Sequence, residues 1–191
     1  YSMRNYGSKH HIGAGIAVAV VLLLAILLLS VQIQHVTVTG SDRYSAKQVE
    51  ELLFTGRWGK NSAHAYFSDK FRPHIQIPFV EDYKVVFHNP LDVEVIIYEK
   101  SIVGYVSYMS SFMYFDKDGI VVESSSNQLE GVPWITGLDF GQIVLHRALP
   151  VEDKNVFEEI LNLTQQLSTY EIAVDRIKYD THGQATLFIG Q

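Results

Sequence analysis

The sequence predicts an α+β protein set behind one membrane-length helix, and three observations carry that prediction. Residues Ile12 to Ile33 read IGAGIAVAVVLLLAILLLSVQI, 22 positions without a charge. From Val36 to Glu99 the patterning runs strand, helix, helix, strand, strand. Beyond Lys100, short Val-, Ile-, Tyr- and Phe-rich segments alternate with turn signals around a single amphipathic helix.

The apolar stretch comes first because its length decides its environment. As an α-helix, 22 residues span about 33 Å, enough for a hydrocarbon core of roughly 30 Å. Lipid offers the backbone no partner, so a single crossing segment must be helical. The apolar core of a secretory signal runs for only about 7–15 residues and ends on a small-x-small cleavage site. Here the run continues into Ser30-Val31-Gln32-Ile33-Gln34-His35, which contains no such site. Arg4 and Lys9, beside His10 and His11, precede the stretch, and no charge follows it until Asp42. Positive residues stay inside. Residues 1–11 therefore read as a cytoplasmic tail, 12–33 as the transmembrane helix, and everything from Gln34 onward as extracytoplasmic, a single-pass type II arrangement. Gly13 and Gly15 lie two positions apart, not four, and make no GxxxG dimer face.

His35 to Gly40 alternates apolar and polar residues and ends on glycine, as a short strand does. At Ser45 a capping box is written out: Ser45 caps, Gln48 reaches back, and Tyr44 and Val49 take the staple positions. That helix runs to about Phe54 and is expected to bury Val49, Leu52 and Leu53. A second helix is expected from Ser62 to about Phe71, ended by Pro73. Two strands follow, Phe79 to Phe87 and Leu91 to Glu99, around His88-Asn89-Pro90. Leu91, Val93 and Val95 face one way, Asp92 and Glu94 the other. Residues 34–100 thus form one β-α-α-β-β unit, a three-stranded sheet with two helices on one face.

Residues 101–191 form a strand-rich second unit. Strands are expected at Ile102 to Tyr108, Phe112 to Phe115 and Ile120 to Glu123, with Asp116-Lys117-Asp118-Gly119 as a turn. Gly131 to Gly137 is a short extended piece. Glu152 to Leu167 is a helix burying Val156, Ile160, Leu163 and Leu167, and Ile172 to Tyr179 with Ala185 to Ile189 closes a hairpin around His182-Gly183.

Charge and composition exclude whole classes of function. The chain has 15 basic and 21 acidic residues. With Arg4 and Lys9 in the tail, 13 basic residues face those 21 outside. Phosphate-backbone binding needs clustered cations, so nucleic acid is not a partner of such a body. Without cysteine there is no disulfide, thiolate metal site or thiol nucleophile. Starting at Tyr1 rather than Met, the chain reads as part of a longer reading frame.

No catalytic or cofactor pattern emerges. The eight histidines (10, 11, 35, 64, 74, 88, 146 and 182) include no HExxH and no i, i+4 pair, so they read as scattered surface or turn residues rather than metal ligands. Asp116-Lys117-Asp118-Gly119 has its glycine too early for a calcium loop and no glutamate at the twelfth position. No Gly-x-Ser-x-Gly occurs, and the serines at 107, 110, 111 and 124–126 sit in strand edges and loops. Asn162-Leu163-Thr164 matches a glycosylation acceptor but falls inside the amphipathic helix, and Glu158-Glu159 is a solvated helix face. Trp134 reads as a packing anchor, Trp58 as a surface contact. The expectation is a protein with no catalytic residue, no metal, no cofactor and no small-molecule substrate.

Taken in order, these segments resemble the FtsQ/DivIB family of bacterial cell-division proteins. Val36-Thr37-Val38-Thr39-Gly40 with Ser45 resembles the opening of that family's POTRA domain. Val85-Val86-Phe87-His88-Asn89-Pro90-Leu91-Asp92-Val93-Glu94-Val95 up to Glu99 resembles its closing hairpin, with Lys100 where arginine is commoner. Tyr114-Phe115-Asp116-Lys117-Asp118-Gly119-Ile120-Val121 is similar to the family's "ID-x-x-G-x-V" turn, and Val132-Pro133-Trp134-Ile135-Thr136-Gly137 to its "LP-x-[IL]-x-G" segment.

The resemblance implies a POTRA-like domain at 34–100, an FtsQ/DivIB-type β domain at 101–191, and a role as a non-enzymatic divisome scaffold at the septum. Its partners would be small coiled-coil division proteins of the FtsB/DivIC and FtsL types, bound by strand addition to an exposed sheet edge. The family continues with further strands, so the second domain is expected to be C-terminally incomplete, with the main partner edge beyond Gln191. No partner-contact residue follows from a motif. Two other classes remain open: an anchored envelope enzyme with its active site beyond Gln191, and a POTRA-bearing transport or secretion component.

Overall fold

The computed structural model describes residues 7–190, with side chains from Gly13 onward. The basic flank used for orientation, Arg4 together with the side chains of Lys9, His10 and His11, lies outside that description, as does Gln191. The chain is α+β and divides into two compact units, Tyr1–Glu99 and Lys100–Gln191.

Helix α1 spans Gly7–Ser30. Its stretch Gly13–Ser30 is long and apolar enough to cross a membrane, and none of it is buried against the rest of the described chain. A soluble core helix of that composition would be covered by its own fold.

The helix stops three residues short of the expected Ile33, because the chain there is already committed to the first sheet's unit. Ser30 Oγ bonds back to the Ile26 carbonyl at 2.7 Å, Ser62 N donates to the Val31 carbonyl, and Ile33 N donates to the Lys60 carbonyl. Ile33, 7% exposed, packs in the unit's core. A residue read as lipid-facing is a core residue.

The first unit then folds as strand β1 (His35–Thr39), helix α2 (Ala46–Leu53), helix α3 (Ser62–Phe71), and strands β2 (Val80–Phe87) and β3 (Asp92–Glu99). The sheet order is β1-β3-β2, with β1 parallel to β3 in the register Val36↔Val93 and Val38↔Val95, and β2 antiparallel. Val93, Val95 and Ile97 alternate onto one face and meet Val49 and Phe54 of the α2 segment and Ala65 of α3. The Ser45–Gln48 capping box forms, with Gln48 N donating to Ser45 Oγ and Ser45 N donating back to Gln48 Oε1. Two expected core residues are half exposed. Leu52 falls off the Val49–Leu53 stripe, and Leu91 sits in the turn before β3 begins.

Adjacent residues mark the boundary. Glu99 accepts from Ser41 Oγ at 2.5 Å and Arg43 Nε at 3.0 Å within the first unit, whereas Lys100 donates to the Val122 carbonyl at 2.9 Å and Glu123 Oε2 at 3.1 Å within the second. The Glu-Lys pair thus ties each side of the boundary to its own unit.

The second unit holds β4 (Gly104–Tyr108), β5 (Ser111–Phe115), β6 (Val121–Ser125), β7 (Trp134–Thr136), α4 (Lys154–Thr169), β8 (Arg176–Tyr179) and β9 (Ala185–Phe188). They form one six-stranded sheet, β6-β5-β4-β7-β8-β9, in which β4, β7 and β8 run parallel and the outer hairpins antiparallel. Ile160 and Leu167 of α4 pack with Val106, Phe115, Ile135 and Ile177 of the sheet. Thr164, absent from the expected apolar stripe, is buried because its hydroxyl donates to the Ile160 carbonyl at 2.9 Å. The 172–179 strand shortens to Arg176–Tyr179, leaving Ile172 half exposed after the helix. Asp116 Oδ1 accepts from Asp118 N and Ile120 N and shapes the 116–119 turn.

Candidate functional site

Six of the eight histidines have described side chains, and three of these pair with carboxylates. His35 Nδ1 lies 2.9 Å from Asp92 Oδ1, and His88 Nε2 lies 2.9 Å from Glu94 Oε2. His74 stacks on the Tyr83 ring and lies 2.9 Å from Asp82 and 3.3 Å from Asp69. Among the described residues no three His, Cys, Asp or Glu side chains gather as a metal-holding group. Each pair joins neighbouring segments of the first sheet or its flank, so its work is to tie those segments together.

That work depends on pH. Bonding to His74 holds the Asp82 carboxyl below its ordinary value, bonding to Asn89 and then His35 does so for Asp92, and bonding to His88 and Thr39 for Glu94. A lowered folded pKa means that the unfolded chain binds the proton more readily. The stabilisation is complete above the ordinary carboxylate range and is lost as pH falls through the depressed values, from about pH 4 downward. Urea unfolding monitored through Tyr83 and its neighbours should show the first unit weakening over that acid window. Asp82→Asn should make the acid limb shallower; an unchanged limb would remove this pair as its cause.

A second cluster stands where α1 ends. Asn61 immediately precedes α3 and caps it, with His64 N donating to Asn61 Oδ1 at 2.9 Å. Its amide nitrogen turns the other way, toward the Leu28, Leu29 and Val31 carbonyls at 3.1, 3.0 and 3.1 Å. The Leu28 and Leu29 carbonyls belong to the last turn of α1, which a helix leaves without internal partners, and Val31 follows directly after it. One side chain, 4% exposed, therefore closes the end of one helix and the start of another. Ser62 Oγ adds a bond to the Pro90 carbonyl. An Asn before a helix is a visible cap signal, but its reach to α1 across thirty residues of sequence is not.

A third feature is the sheet edge at β9. The opposite edge strand, β6, is partly covered: Val121 N donates to the Arg147 carbonyl and His146 N to the Val121 carbonyl, at 2.9 and 2.7 Å. On β9 only β8 pairs among the described residues. Leu187 lies opposite the fully buried Ile177 and so continues the core face of the sheet, yet is 40% exposed, and Ile189 beyond it is 64% exposed. Beside them the Arg176 guanidinium lies 4.0 Å from the Phe188 ring centroid.

The half-exposed Trp58 carries Arg57 against its ring, and Trp134 is half-buried on β7. Glu158 and Glu159 are exposed on α4, as is Asn162, while Thr164 of the Asn162 triplet is buried. Compared with known proteins, the chain matches no family model and no curated sequence.

Proposed function

We propose that this protein is a membrane-anchored scaffold of the bacterial division machinery, of the FtsQ/DivIB type, acting through its extracytoplasmic units at the septum without catalysis. In this reading α1 is a type II anchor, the β-α-α-β-β unit is the POTRA-like domain, and the six-stranded unit is the partner-binding β domain. The observation that carries the reading is the order of parts. A span-length helix leads directly into a β-α-α-β-β unit, and that unit is followed by a six-stranded sheet in which β9, among the described residues, is paired on one side only. An uncovered edge displays unpaired backbone N–H and C=O groups that an added strand satisfies, while Leu187 and Ile189 give that strand apolar surface to cover.

The test is capture of small coiled-coil division proteins by the tagged protein, expressed from its own gene in its own membrane. The native protein should retain such a partner. Leu187→Glu with Ile189→Glu, which sets two charges on the edge, should weaken retention about tenfold or more, equivalent to at least about 1.4 kcal/mol. Capture of envelope transport proteins in place of division proteins would overturn the reading in favour of a transport component.

A further inference from the structure

Helix α3 is folded inside out. Its buried residues are the small Ser62 and Ala65, while Tyr66, Phe67 and Phe71 are 45%, 58% and 72% exposed. A helix on a soluble domain turns its large apolar side chains to the core. Here Ala65 enters the core of the unit, and the aromatic rings form a continuous outward surface. Phe67 stacks on Phe71 with centroids 6.1 Å apart, Tyr66 meets Phe67 edge-on at 5.7 Å, and Phe87 of β2 joins from the side at 5.6 Å from Tyr66.

The position of this surface says what covers it. Asn61 fastens the first residue of α3 to the last turn of α1, so the aromatic helix begins at the level where the span-length helix ends. Tyr66 and Phe67 line an almost wholly apolar cleft of about 370 Å³ together with Leu28 and Val31 from the end of the apolar stretch and Pro90 from the β2–β3 turn. On another side of the same helix end, Trp58 shares a more polar cleft with Leu29 and Gln32, which Lys47, Lys60, Glu50 and Glu51 also line. Aromatic rings therefore flank the outer end of α1 on two sides. Cations accompany them: Lys70 Nζ lies 5.8 and 5.9 Å from the Tyr66 and Phe71 ring centroids, and Arg57 Cζ lies 6.0 Å from that of Trp58. Aromatic rings mixed with cations at the end of a span match the headgroup boundary of a bilayer, where amphipathic rings settle and cations meet phosphates.

We infer that α3 lies on the outer leaflet, with Tyr66, Phe67, Phe71 and Trp58 seated among the lipid headgroups and Lys70 and Arg57 directed at their phosphates. The first unit is then held against the membrane rather than extended away from it, and the apolar cleft takes acyl chain. This inference rests on the anchor reading of α1, and its test separates the two.

The absence of cysteine makes single labels clean. Spin labels on Phe67→Cys, Phe71→Cys and, within the span, Leu24→Cys are compared in vesicles of phosphatidylcholine and phosphatidylglycerol, by collision with oxygen and with a water-soluble nickel chelate. Labels at 67 and 71 should favour oxygen over nickel, at shallower depth than the label at 24. If 24 is lipid-exposed while 67 and 71 meet nickel as freely as bulk water does, α3 is not on the membrane and its face is left to a protein. If 24 also meets nickel freely, the anchor itself fails. Spin–spin broadening at 67 and 71 would assign the face to a second copy and likewise overturn the proposal. A probe that leaves α3 untouched is Trp58 in a Trp134→Phe background, where lipids brominated near the headgroup should cause loss of its fluorescence; undiminished emission counts against the proposal.

Discussion

Asn61→Ala should release the end of α1 from the start of α3. The substitution removes the α3 cap, worth about 1 kcal/mol, and leaves carbonyls at Leu28, Leu29 and Val31 without their donor, a further cost of about 1–3 kcal/mol. Together about 2–4 kcal/mol of local stability is lost. In hydrogen exchange of the protein in lipid nanodiscs, the amides of Ser62, His64 and Ala65 should exchange roughly 30- to 1,000-fold faster. Asn61→Asp separates the two roles, because it keeps an acceptor for His64 N but offers no donor to the carbonyls. It should keep the His64 amide protected while loosening Ile33 and Ser62, whose amides bond to the Lys60 and Val31 carbonyls. Unchanged protection in Asn61→Ala would mean that the remaining backbone bonds hold the junction alone.

The second large effect belongs to Gly137, the last residue of the Val132–Gly137 segment. Its φ is +85°, a conformation that side-chain-bearing residues adopt at a cost of about 1–2 kcal/mol. A Cβ there would also overlap the backbone carbonyl of Tyr179 on β8, which cannot swing aside as a side chain does. Tyr179 is 3% exposed and β8 is paired on both sides, by β7 and β9, so the strand has no open side to retreat into. Gly137→Ala should cost roughly 3 kcal/mol or more, lowering the urea midpoint of the second unit by about 1–3 M. Gly131→Ala provides the control. Its φ is +76°, but a Cβ there meets open space, so only the conformational cost of about 1–2 kcal/mol is expected. Equal losses at the two positions would show that backbone overlap contributes nothing.

Part of this architecture is legible residue by residue. The Ser45–Gln48 box, the Asp116 turn and the alternation of Val93, Val95 and Ile97 are local signals whose partners lie within a few positions, and each formed where its chemistry placed it. The β4–β5 turn was less readable. Met109 and Ser110 both take positive φ, as a two-residue hairpin turn matched to strand twist requires, but neither is the Gly or Asn that would announce it. The end of α1 was misplaced because Val31 and Ile33 are as apolar as the residues before them. Hydropathy alone does not distinguish a side chain facing lipid from one entering a protein core.

Among the features of the candidate site, the sequence showed an Asn before a helix, a strand near the C-terminus and aromatics at 66, 67 and 71. It could not show that Asn61 reaches the α1 carbonyls, that Leu187 lies beyond the covered part of the sheet, or that α3 buries its small residues. Each of these depends on a neighbour brought in from far along the chain.

By itself the sequence determined the elements and their order: one helix long and apolar enough to span a membrane, a β-α-α-β-β unit, and a strand-rich unit with one amphipathic helix. These follow from periodicity, capping and turn chemistry, which act over a few residues. Only the tertiary structure decided that β7 and β8 join β4 in parallel at the centre of the second sheet, leaving β9 at its edge, and that α3 turns its rings outward beside the end of α1. Strand order and helix facing are set by which surfaces meet once the chain has closed on itself, a non-local choice that many locally equivalent sequences leave open.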